Sequence, residues 1–116
     1  MAGTPARPLV PEKLPVAIRA SETVEGLARL YRKADARDRA ATALRSTTRT
    51  RLAPLVGVPV SQAHAPEALL PALSAHLRGD GQSLHALLFG PPPSDDAALV
   101  RLADHLDALE REVRRP

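Results

Sequence analysis

Cysteine and tryptophan are missing from this chain of 116 residues, which holds a single tyrosine and a single phenylalanine. Without cysteine there is no disulfide and no thiolate metal ligand, which fits a reducing compartment without requiring one. With aromatics at 2%, the core has to be built from Ala, Leu and Val. A buried Leu is worth about 1.5–3 kcal/mol and Ala much less, so close helix–helix contact and limited stability are expected of so small a domain. No apolar run reaches the length of a membrane span, and no charged-then-apolar secretory leader opens the chain.

Recognisable chemistry is also sparse. There is no glycine-rich phosphate loop and no nucleophile elbow; Gly79-Asp80-Gly81 reads as a turn between helices. His64, His76, His85 and His105 lack the paired spacing of zinc ligands. Asp104, His105 and Asp107 share one helix but, one and three residues apart, do not converge. These residues assign no catalytic, cofactor-binding or metal site, and neither enzyme activity nor a cofactor is expected.

What is present is Ala, Leu and Arg at helical spacing behind a proline-spaced start. Pro5, Pro8, Pro11 and Pro15 each remove a donor and bias the preceding residue away from helix. Residues 1–20 are therefore expected to be an extended leader, and residues 21–116 a helical domain. Ser21 or Thr23 can cap a long first helix. Leu27, Leu30, Tyr31, Ala34, Ala41, Leu44, Leu52 and Leu55 fall on one face of it, with Leu44 and Leu52 expected in the core and Tyr31 half-buried. The stripe thins between Asp35 and Arg39, where a kink or two separate helices is the alternative. Pro54 and Gly57 mark its end. A second helix occupies about 66–78, its regular part starting near Leu69 because of Pro71. A third runs from Asp80 or Ser83 to Phe89, stopped by Gly90 and Pro91 to Pro93. Ser94 caps a fourth, whose Leu99, Leu102, Leu106, Leu109 and Val113 form a narrow seam. The fold class is all-α: a small irregular bundle of about four helices with an extended Pro-rich N-terminal leader.

Charge is unevenly laid out. Residues 1–60 carry eleven basic and five acidic side chains; residues 61–116 carry five basic and eight acidic ones. The densest stretch is the candidate basic interaction face: Arg29, Arg32, Lys33, Arg37, Arg39, Arg45, Arg49 and Arg51, against only Asp35 and Asp38. Such a stripe suits phosphates, so a nucleic-acid-binding helical domain is the alternative function, although the aromatic interleaving of single-strand binders is missing. Anionic lipid headgroups would meet the same surface. The competing reading is internal pairing with the acidic fourth helix, which favours a monomer.

Several segments carry a resemblance: Leu14-Pro15-Val16-Ala17-Ile18-Arg19-Ala20-Ser21-Glu22-Thr23-Val24-Glu25-Gly26, then Ala28-Arg29-Leu30-Tyr31-Arg32-Lys33-Ala34. Leu87-Leu88-Phe89-Gly90-Pro91-Pro92, Asp95-Asp96-Ala97-Ala98-Leu99-Val100 and Leu106-Asp107-Ala108-Leu109-Glu110-Arg111-Glu112-Val113 continue it. Over about residues 8–115 the chain resembles the tail that follows the last membrane span in the actinobacterial membrane-protein family catalogued as domain of unknown function four-three-five-zero. That resemblance implies a cytosolic C-terminal tail on the cytoplasmic side of the cell membrane in the parent protein. It also implies a gene neighbourhood of MoxR-type AAA ATPases, and it supplies no functional residue. The expected function is a non-catalytic helical interaction module docking a soluble protein partner, such as that ATPase.

Overall fold

The computed structural model describes residues 6–78 and 81–116, with side chains from residue 23 onward. Among them are four helices: α1 (Ala6–Leu55), α2 (Pro66–Leu77), α3 (Gly81–Phe89) and α4 (Asp96–Arg114), with one 3-10 turn at Val60–Gln62. The all-α class is as expected. The chain divides into two compact units, residues 1–35 and 36–116; the expected boundary at 20/21 falls inside α1.

Residues 6–20, where an extended leader is expected, lie within the span of α1; residues 1–5 lie outside the described residues. Proline's fixed φ is itself a helical value, and the steric rule on its predecessor is a bias only. Pro8 falls in the first turn, where no N–H is needed, whereas Pro11 and Pro15 each withhold one bond from the helix. In this unit Val24, Leu27, Leu30 and Tyr31 are all exposed, so the half-buried place expected for Tyr31 is not what forms. The helix also continues through residues 35–39 without the break that the thinning stripe allowed.

The second unit holds the core. Leu52, Leu69, Leu73 and Leu88 are fully buried and pack with Ala41, Ala53, Leu84, Leu102, Leu106, Leu109 and Val113. Leu44, expected inside, is 36% exposed. The positions of α1 that face inward at this level are Ala41, Thr48, Leu52 and Ala53. Two of these are alanines and one a threonine, which let α1 approach closely. The seam of α4 is covered within the unit, with α2 and α3 as its principal neighbours rather than the long first helix alone.

Helix ends explain the turns. The N–H of Val58 donates to the Ala53 carbonyl at 2.8 Å and that of Gly57 to Pro54 at 3.3 Å. This is a Schellman closure, with Gly57 at φ +79° and Val58 buried beside Ala53. Pro66 opens α2 in the first helical position, and α2 starts there rather than at Leu69 because Pro71 is accommodated inside the helix at an exposed position. It ends on Arg78 in the left-handed conformation, φ 56° and ψ 36°. Asp95, not Ser94, caps α4: its Oδ1 accepts from the Ala98 N–H at 2.7 Å.

Candidate interaction surface

The basic row of α1 separates into groups with different partners. Arg45 and Arg49, one turn apart, face the C-terminal end of α3. Arg45 Nε donates to the Leu87 carbonyl at 2.9 Å, Nη1 to Gly90 at 2.8 Å and Pro91 at 2.9 Å, and Nη2 to Ala86 at 3.3 Å. Arg49 Nη1 donates to the Leu88 carbonyl at 2.5 Å and Nε to His64 Nδ1 at 3.0 Å. The last carbonyls of a helix lack intrahelical partners, and following residues usually supply the N–H groups that satisfy them. Here Pro91, Pro92 and Pro93 have none to give, so two guanidinium forks supply the donors instead. Burial draws both arginines below the ordinary arginine value, and repulsion from Arg45 adds to the effect on Arg49. Both remain charged at neutral pH.

Arg37 and Arg51 meet the acidic helix. Arg37 Nε lies 3.2 Å from Asp96 Oδ1 and its Nη1 donates to the Ser94 carbonyl at 3.3 Å, bracketing the start of α4. Arg51 Nη1 lies 3.7 Å from Glu110 Oε1, which is shared with Arg114 through Oε2 at 3.1 Å. Lys33 and Arg39 are exposed but engaged. Arg29 and Arg32 are exposed in the first unit. Within the second unit, Arg37, Arg45, Arg49 and Arg51 are thus each engaged with carbonyls, carboxylates or an imidazole of the same chain. Nothing in the sequence assigns the capping role of Arg45 and Arg49, although the donor-free Pro91-Pro92-Pro93 run after α3 is the signal that an outside donor was needed.

A surface not foreseen from sequence lies along α3 and α4. It is an open groove of about 430 Å³. Leu87, Ala98 and Leu102 make its floor, and Arg101 and His105 stand on its rim. A second open depression shares Leu87 and His105 with it and is lined further along α4 by Ala108, Leu109, Arg111 and Glu112. Arg101 and Arg111 have no partner among the described residues. His76 takes no part in it; its Nε2 lies 3.1 Å from the Val113 carbonyl oxygen, joining the ends of α2 and α4. Among the described residues no group of three or more His, Asp or Glu is placed to hold a metal ion. No described helix is long and apolar enough to cross a membrane.

The fold is an all-α helical module with an apolar-floored, basic-rimmed groove. The chain is similar to an uncharacterized membrane protein of Mycobacterium tuberculosis, 51% identical over 106 residues, which is 91% of this chain and 27% of that protein. The chain thus spans about a quarter of the length of the relative it matches. No family model and no solved structure matches it.

Proposed function

We propose that this chain is a non-catalytic helical interaction module of a membrane protein, of the family catalogued as domain of unknown function four-three-five-zero. In this reading it sits on the cytoplasmic side of the membrane and docks a soluble partner, a MoxR-type AAA ATPase. The observation that carries it is the groove between α3 and α4, open, floored by Leu87 and Leu102 and rimmed by Arg101 and His105. A surface of that kind suits a helix or extended segment with an apolar face and acidic flanks. The mycobacterial relative's description as a membrane protein supports the membrane-protein part of this reading.

The nucleic-acid alternative draws less support. Arg37, Arg45, Arg49 and Arg51 are directed at carbonyls and carboxylates of the same chain. Half of the candidate phosphate-binding row would have to abandon internal partners to reach a duplex.

The test is a binding titration of the chain against the purified ATPase, with Arg101→Glu and His105→Glu on the rim. Saturable binding weakened by both variants is expected. No binding by the unaltered chain, or binding indifferent to both, would overturn the reading. Duplex or single-stranded DNA at low salt serves as the comparison, since phosphate contacts would show as a steep salt dependence.

A further inference from the structure

We propose that the groove between α3 and α4 takes an acidic segment in a proton-linked contact: His105 adds a second cation beside Arg101, so docking tightens as the pH falls. The proposal rests on the docking reading above and concerns how that same site is regulated. Ala98, Arg101, Leu102 and His105 recur at three- and four-residue steps, which places them on one face of α4, and all four line the groove. Its charged and titratable lining is Arg45, Arg101 and His105, and among the described residues no carboxylate lines it. Arg45 is committed to four carbonyls at the end of α3. Arg101 and His105 are exposed, which leaves them to meet an occupant.

The carboxylates nearby are kept off this face. Asp95 caps α4 and Asp96 meets Arg37. Glu110 is shared by Arg51 and Arg114. Glu112, on the adjoining depression, lies 2.7 Å from Arg115. At about 100° per residue, Asp104 and Asp107 fall about 100° and about 160° round the helix from His105, and neither lines the groove. From α3 the only titratable side chain is His85, and it is stacked against Phe89 with ring centroids 5.9 Å apart. From α1 the charged group on the lining is Arg45, and the loop between α3 and α4 contributes Pro91 and Pro93. A carboxylate beside His105 therefore has to come from the occupant. A neighbouring carboxylate favours the protonated imidazole, so the complex takes up a proton that the free groove does not hold. By linkage, affinity then rises as the pH falls through the imidazole range, where the Asp and Glu of the segment stay ionised.

The probe is a rhodamine-labelled amphipathic peptide with leucines at helical spacing and glutamates on both flanks, beside the same peptide with glutamine for every glutamate. Anisotropy titrations at constant ionic strength run from about pH 8 to about pH 5.5, across the imidazole range. The glutamate peptide is expected to bind and to tighten about fivefold over that range, the factor given by about 1 kcal/mol for an exposed ion pair. The glutamine peptide should bind more weakly and without pH dependence. His105→Gln should remove the pH response and leave binding. Arg101→Gln should weaken binding at every pH and leave the response, which separates the titrating group from the permanent charge. Both side chains are exposed, so the circular dichroism of each variant should match that of the unaltered chain. No binding of the glutamate peptide, equal binding of the two peptides, an affinity constant with pH, or a response that survives His105→Gln would each overturn the proposal. ATPase binding that ignores pH removes only this proposal; proton-linked peptide binding without ATPase binding removes only the ATPase reading.

Discussion

Arg49 lays its guanidinium over the ring of Phe89, with the central carbon 4.8 Å from the ring centroid. The same side chain donates to the carbonyl of the preceding residue, Leu88. A cation over an aromatic face adds about 0.5–1 kcal/mol at exposed sites and more when desolvated. The contact also needs the planar fork, because stacking and donation occur together. With Arg45 one turn earlier, it makes the end of α3 depend on side chains from α1.

Replacing Arg45 by Met keeps much of the aliphatic stem and removes every donor to Ala86, Leu87, Gly90 and Pro91. Leaving partly buried carbonyls unpaired costs about 1–3 kcal/mol. The thermal midpoint is expected to fall by roughly 4–8 °C for each kcal/mol in a domain of this size. Arg49→Lys preserves the charge yet loses the fork and the stack, and should fall between Arg45→Met and the unaltered protein. A midpoint unmoved by Arg45→Met would show that the cap contributes nothing.

Two turns test backbone conformation in opposite directions. Gly57 sits at φ +79° with nothing within 4 Å of where a Cβ would stand, so Gly57→Ala adds strain without a clash. A left-handed non-glycine residue costs about 1–2 kcal/mol, and that loss is expected. Arg78 already bears such a conformation at φ 56°. Arg78→Gly should stabilise, by less than that figure because glycine also enlarges the unfolded ensemble. Chemical denaturation of both variants reads the two signs directly.

Gly90 is different in kind. A Cβ there would collide with the backbone carbonyl of Ala86, and its own carbonyl is an acceptor for Arg45. Gly90→Ala is expected to cost at least about 1–3 kcal/mol, as for other overpacked sites. It should also loosen the Arg45 cap, seen as weakened protection of α3 amides in hydrogen exchange.

Leu52 is fully buried and Leu44 is not. Leu52→Ala is expected to cost about 2–5 kcal/mol. Leu44→Ala should stay within about 0.5–1 kcal/mol, the range of surface changes. Equal losses at the two sites would mean that α1 is rotated from the orientation described.

Local signals placed most of the helix ends. Proline at Pro66, the glycine at Gly57, the acidic start of α4 and the leucine seam from Leu102 to Val113 each act within a turn or two, so the residues themselves reveal them. The register of α1 against its neighbours did not show. Leu44 and Leu52 are equivalent by spacing and size, and only the positions of α2, α3 and α4 distinguish them. The basic row was legible as charge but not as destination. A guanidinium opposite a backbone carbonyl leaves no mark in either partner's residue type. The groove was invisible for a related reason: Leu87 and Arg101 are unremarkable until two helices bring them together.

The dependence of α3 on Arg45 and Arg49 makes a short helix answerable to a segment about forty positions away in sequence. A nine-residue helix has little autonomy, because nucleation is costly and few internal bonds follow it. When its terminal acceptors are also satisfied from outside, it gains nothing by forming early. Residues 36–55 and α3 should therefore order and melt together as one cooperative foldon. The assembly of this otherwise fast helical topology should be slowed by a long-range closure that must precede its reward.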